Sequence, residues 1–162
     1  MSVRNCKELG INLQKIMNRL LSNQELLKLL YYTDKDPLNH PDFTKDEARE
    51  KFFEKLIKIV PKVGPKETAA SLIALRVESG SLNDNDEFKD FIIKIEVFVP
   101  MTQWIIKDSN LRPFAILGAI QETLNGKTIN GLGKMYGGDF DLNFLTEEIS
   151  CYEQSFIITA YD

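Results

Sequence analysis

Between residues 91 and 99 every odd position is apolar: Phe91, Ile93, Ile95, Val97 and Val99. The even positions mix Ile92 and Phe98 with Lys94 and Glu96. A side-chain period of two predicts a strand with one face in a core. Ile92 and Phe98 require the other face to be partly covered or to meet a partner. Pro100 has no N–H for a ladder and predicts the strand's end. The apolar run 111–124 steps by three and four through Phe114, Leu117, Ile120 or Gln121, and Leu124, which predicts a helix with those residues on one face. Ala115, Gly118 and Ala119 are small and let that helix lie close on a sheet. Ser109 or Asn110 is placed to cap its start, with Pro113 in the first turn. Gly126, after Asn125, is the expected left-handed residue past its end.

The rest of the chain is read around this pair. Residues 7–21 carry a helical stripe of Leu9, Leu13, Ile16 or Met17, and Leu20. Ser22-Asn23-Gln24-Glu25 reads as a capping box that restarts a short helix over 24–32, nearly encircled by leucines. Pro37 and Pro41 predict an extended loop over 33–43. Thr44-Lys45-Asp46-Glu47 is a second capping box opening a charged helix toward Lys58, with Phe52, Phe53, Leu56, Ile57 and Ile59 on its inner side. The alternative is extended chain near 57–60, before the break at 61–65.

Residues 68–78 read as a strand, with Ser71, Ile73, Leu75 and Val77 on one face and Ala70, Leu72, Ala74 and Arg76 on the other. The polar stretch 79–90 joins it to 91–99 as a hairpin with a long tip. Residues 127–135 and 138–145 read as two short, Gly-punctuated extended pieces. Residues 151–161 form the last strand, with Tyr152, Gln154, Phe156, Ile158 and Ala160 on one side. Helices, hairpin, helix, then strands predict a single α+β domain over 1–162, with a mostly antiparallel sheet flanked by helices.

At 162 residues, 43% hydrophobic and 27% charged, the chain is long enough for a real core. The net charge of −4 argues against sequence-independent DNA binding, which needs a basic face. It permits a protein that lets DNA slide past. No apolar run approaches a membrane span, and Met1-Ser-Val-Arg4 lacks an apolar signal segment. Cys6 and Cys151 are far apart in sequence and read as two reduced thiols.

None of the short motifs supports chemistry. Gly126-Lys127-Thr128 follows a helix, whereas a phosphate loop must open one, and Gln121 stands where that motif needs glycine. Gly131, Gly133, Gly137 and Gly138 fit bulges or tight bends near a sheet edge better than a dinucleotide fingerprint. Neither Asp34-Asp36-Asp42 nor Asp84-Asp86-Glu87-Asp90 has calcium-loop spacing, so both read as solvated loop charges. His40, the single histidine, reads as loop packing, and neither cysteine has an identifiable base. Trp104 reads as a core or rim aromatic, with an interface anchor as the alternative.

A family resemblance joins these pieces. The strand 91–99 is followed by Pro100 and Trp104, then by Leu111-Arg112-Pro113 opening a helix that ends Leu124-Asn125-Gly126. Ile129-Asn130-Gly131-Leu132-Gly133-Lys134 comes next, with a closing strand that holds Tyr152, Ser155 and Phe156. Upstream, a Leu-rich helix pair ends Leu29-Leu30-Tyr31-Tyr32 before Asp36-Pro37-Leu38. This order resembles the tail terminator or tail-completion proteins of long-tailed bacteriophages. The resemblance implies a virion protein, assembled in the host cytoplasm, that caps the tail tube as a homo-oligomeric ring of six and joins tail to head. It implies no catalysis and no cofactor. The implied partners are further copies of the chain, the tube protein and a neck or connector protein, with DNA passing through the lumen and no membrane. On that reading Asp84, Asp86 and Glu87 at the hairpin tip face the lumen or the tube. Two other readings remain: another neck component, such as an adaptor or stopper, and a small ligand-binding or enzymatic α+β domain built on the Gly-rich turns between Gly126 and Gly138.

Overall fold

A computed structural model describes residues 6–60, 70–82, 84–85 and 88–159. Its elements in chain order are α1 (Cys6–Leu21), α2 (Gln24–Tyr31), α3 (Lys45–Phe52), β1 (Ile57–Ile59), β2 (Leu72–Leu82), β3 (Phe88–Pro100), β4 (Ile105–Ile106), β5 (Asn110–Leu111), α4 (Arg112–Leu124), β6 (Thr128–Ile129), β7 (Gly133–Leu145) and β8 (Ile149–Thr159). Six strands make one sheet in the order β1-β2-β3-β8-β7-β6, and β4 pairs with β5 separately. Among the described strands only the β1–β2 pair is parallel. The chain is an α+β protein, as its pattern predicts.

The alternation in β3 sorts the two faces as expected. Phe91, Ile93, Ile95, Val97 and Val99 are buried against the helices, in one cluster with Leu20, Leu27, Phe52, Ile120 and Phe156. Burial of this apolar surface is the main stabilising term, at about 25 cal/mol per Å². The opposite face holds a smaller cluster of Leu72, Ala74, Phe98, Ile149 and Cys151, against which Leu56 and Val60 pack. Between that cluster and half-buried Ile92 lies an ion network. Arg76 contacts Glu96, reaches Glu153 at 2.5 Å and Glu78 at 2.9 Å, and Lys94 reaches Glu153 at 3.0 Å. Lys94, Glu96 and Phe98 are thereby satisfied within the chain, and Ile92 stays half-buried.

Several boundaries differ from the expected ones, each for a local reason. α2 is capped by Asn23, not Ser22. The Ser22 hydroxyl donates to the Arg19 carbonyl at 2.7 Å and so closes α1. Asn23 serves two helices: its Oδ1 accepts from Leu26 N–H at 3.0 Å, and its amide donates to Ala119 O and Thr123 Oγ1 on α4. Thr44 does cap α3, accepting from Glu47 N–H at 3.2 Å. That helix stops at Phe52, and Glu54 turns the chain with φ 58°. The extended alternative then holds, because β-branched Ile57 and Ile59 pair with β2. The loop after α2 contains one 3-10 turn, Pro37–Asn39, whose first position suits the fixed φ of proline.

The hairpin β2–β3 is longer than its polar composition suggests. Backbone pairing runs on through Leu82↔Phe88, with a register shift between Val77 and Ser79, since an antiparallel ladder needs no burial on either face. Residues 127–135 and 138–145 are not two short pieces. β7 is one strand of 13 residues that runs through Gly137 and Gly138. A bulge between Gly137 and Asp139 absorbs the pair. Gly137 has φ +139°, and a Cβ there would lie 2.5 Å from the Ser155 carbonyl oxygen, so no larger residue fits. Residues 68–69 and 160–161 of the predicted strands lie outside the described residues.

α4 lies across β3 and β7. Gly126 follows it at φ 73°, as predicted. Its start is capped by neither Ser109 nor Asn110, because Asn110 Oδ1 accepts from Leu111 N–H and Ser109 sits in a turn at φ 59°. Its buried face is Pro113, Ile116, Leu117, Ala119, Ile120 and Leu124. Phe114 instead faces outward, toward the rim described next.

Candidate interaction surface

Trp104 follows the 3-10 turn Met101–Gln103 at the end of β3. It is half-buried, and its Nε1 donates to Ser150 Oγ at 3.1 Å. Its ring meets Phe114 edge-on at 6.4 Å and tilts against Tyr152 at 6.4 Å. Phe114, Phe140 and Tyr152 close the group, with centroids 5.3 to 5.9 Å apart. Such spacings suit the ring quadrupoles. Trp104 is thus a rim aromatic: its polar end is tied down by Ser150 and its apolar body borders a surface.

That surface runs along β7. β6 pairs only with Gly133 and Lys134, and the Gly137 N–H donates to Asn125 Oδ1. Among the described residues, no strand lies beyond β7 from Gly138 to Leu145. Large apolar side chains on this edge stay exposed: Phe140 47%, Leu142 51%, Phe144 41% and Leu145 58%. The register puts Phe140 and Leu142 on the helix side of the sheet and Asp139, Asp141 and Phe144 on the other. A long open edge with apolar residues on both faces is a template for pairing.

Behind the rim, Arg112 fixes where α4 begins. Its side chain is fully buried, and it donates to Gln103 O at 2.8 Å, Leu29 O at 2.5 Å and Asp34 O at 2.8 Å. One guanidinium therefore ties the last turn of α2, the following loop and the chain after β3 to the start of α4. Leu29 O belongs to a helix C-terminus, where carbonyls lack partners and positive charge is favoured. Burial pushes the Arg112 guanidinium down from its usual range, partly offset by Asp34. A cleft of about 460 Å³ lies nearby, lined by Lys35, Asp36, Ile106 and Lys107 among others. Its one ion pair, Lys107 with Asp36 at 3.5 Å, is exposed. Nothing in it converges on a ligand.

Several other titratable groups are engaged in local contacts. His40 stacks on Tyr32 at 3.7 Å and contacts Asp34 Oδ2 at 2.7 Å, and this hydrogen bond holds the Asp34 carboxyl below its usual range. Asp42 pairs with Lys28 at 2.6 Å. Both cysteines are free; Cys6 is exposed and Cys151 buried, and burial pushes the Cys151 thiol well up. Burial opposes the charge on Glu153, but hydrogen bonds from Arg76 and Lys94 outweigh it and hold that carboxyl below its usual 4.5. Its stabilising share is therefore present above about pH 4.5 and fades as pH falls through the lower folded value. Comparing Tm at pH 6 and pH 3, Glu153→Gln is expected to lose less on acidification than the native chain.

The YomW family model matches residues 23–156. The chain belongs to the YomW family. This is a phage-derived protein family. No curated protein matches the chain. The YomW match begins at Asn23, the cap of α2, and ends at Phe156 in β8, so it takes in α4, Arg112, Trp104 and the whole of β7.

Of the residues singled out from sequence, Asp84 is exposed in the turn between β2 and β3, and Trp104 sits at the rim. Asp86 and Glu87 lie outside the described residues. The structure brings Trp104 to Phe114 of α4 and Tyr152 of β8, both of which meet Phe140 of β7. Phe114, Phe140, Tyr152 and Arg112 were not singled out as a site. Arg112 did carry a signal: a cation in the first turn of a helix opposes the macrodipole and needs a specific partner.

Proposed function

We propose that this protein is a structural subunit of a long-tailed phage that caps the tail tube as a homo-oligomeric ring of six copies and joins the tail to the neck. The observation that carries the reading is the open edge of β7, with Phe140, Leu142, Phe144 and Leu145 exposed beside it. An edge of this kind serves a subunit made to be covered by neighbours. Membership in a phage-derived family supports it, as does the resemblance of the sequence motifs to those of tail terminators. An acidic balance, with net charge −4, suits a lumen through which DNA passes without adhering. The reading assigns no catalytic step and no cofactor.

Tube length tests the role. Tubes assembled with the protein should stop at a uniform length, and tubes assembled without it should run on. Normal tube lengths without the protein would sink the reading. The acidic hairpin tip gives a separate test. Neutralising Asp84, Asp86 and Glu87 together should impair capping or DNA ejection while leaving the melting curve unchanged. Normal capping and ejection would remove the tip from the lumen or tube contact.

A further inference from the structure

We infer that copies of this chain join sheet edge to sheet edge, with β1 of one copy against the Phe140–Leu142 segment of β7 in the next. The inference deepens the ring reading and rests on it for the number of copies. The pairings across the sheet place these two segments at the same height. Lys58 pairs with Ala74, Ala74 with Glu96, Glu96 with Glu153, and Glu153 with Asp141. One rung above, Ile59 follows Leu75, Ile95 and Gln154 to Phe140. One rung below, Ile57 follows Ile73, Val97 and Tyr152 to Leu142. At these positions β7 presents Phe140, Asp141 and Leu142 and β1 presents Lys58 and Ile59, while Ile57 is buried and bridged to Phe53.

Chemistry and direction match as well. Lys58 and Asp141 lie on the same face of the sheet, the one away from the helices, and Ile59 and Phe140 share the other. β1 runs parallel to β2, and three antiparallel steps then leave β7 running opposite to β1. A neighbour related by rotation about an axis along the strands thus offers β7 antiparallel to β1. Lysine opposite aspartate is a favourable cross-strand pair. The open segment of β7 and the turn after it carry Asp139, Asp141, Glu147 and Glu148 and no basic residue. A two-fold pairing of β7 with β7 would set Asp139 and Asp141 against the same carboxylates of the other copy, which is unfavourable. The turn before β1 already uses the Ile57 carbonyl, which accepts from Glu54 N–H at 3.0 Å, so the contact centres on Lys58 and Ile59. A β1-to-β7 contact is head-to-tail, the type that closes into rings.

Cysteine cross-linking tests this in the full chain, with exposed Cys6 replaced by serine. Within one copy, β1 and β7 are four strand spacings apart, roughly 19 Å, far beyond the ~7 Å that a disulfide spans. A Lys58→Cys, Asp141→Cys bond can therefore form only between copies. Under mild oxidation, a mixture of the two single variants should give a dimer band that neither variant gives alone. A chain carrying both substitutions should give a ladder of multimers. A dimer from Asp141→Cys alone would overturn the inference in favour of two-fold pairing. Folded variants with no cross-link, alone or with tubes present, would also overturn it. If that absence accompanies normal capping of tubes, the capping role stands and only this contact is lost. If cross-linked multimers form but tubes are never capped, the contact stands and the capping role fails.

Discussion

Replacing Ile95 with aspartate is expected to unfold the domain. Ile95 is fully buried in the middle of β3, with Leu75 and Gln154 as its cross-strand neighbours. The amide of Gln154 already donates to Leu117 O at 3.2 Å and Gly138 O at 3.1 Å, so it has no hydrogen left for a new carboxylate. An uncompensated buried charge costs several kcal/mol, and a domain has only about 5–15 in total. Circular dichroism on heating should show no cooperative transition. A folded Ile95→Asp protein melting like the native chain would mean that this face of β3 does not line the core. Lys94→Ala, one residue away on the opposite face, is expected to be mild by comparison.

Loss of Arg112 is the second large effect. Arg112→Ala leaves the carbonyls of Leu29, Asp34 and Gln103 without this donor, those of Leu29 and Gln103 in a buried site. Hydrogen bonds from a charged donor contribute about 1.5–3 kcal/mol each and stranded buried acceptors cost a comparable amount. The joint loss should be roughly 3–6 kcal/mol, read from the urea midpoint. Arg112→Lys should recover little, because an ammonium on one stem cannot span three carbonyls set around a planar fork. Full rescue by lysine would show that charge alone matters there and that the fork does not.

Much of the fold was legible because it rests on local patterns. The alternation in β3, the stripe in α1, the cap at Thr44 and the left-handed Gly126 each need only a few neighbouring residues to be read. What escaped depends on distant partners. Asn23 wins the cap of α2 because α4 supplies Ala119 O and Thr123 for its amide, and nothing near Ser22 in sequence says so. β7 looked broken at Gly137-Gly138 because glycines usually punctuate strands; here the close approach of Ser155 demands one. Residues 78–82 of the β2–β3 hairpin extend a ladder while staying exposed, so no hydrophobic period marks them. The exposed rim was the least legible part. Phe140, Leu142 and Phe144 read as ordinary strand residues until the sheet order places them on an outer edge.

The central claim, a ring of identical subunits on the end of a tail tube, is tested most directly by electron cryomicroscopy of the protein mixed with its tube. The account predicts density for a closed ring at one end of each tube, with the β7 edge of every subunit covered by its neighbour. Subunits bound along the tube wall, or a complex in which Phe140, Leu142 and Leu145 face only solvent, would contradict it.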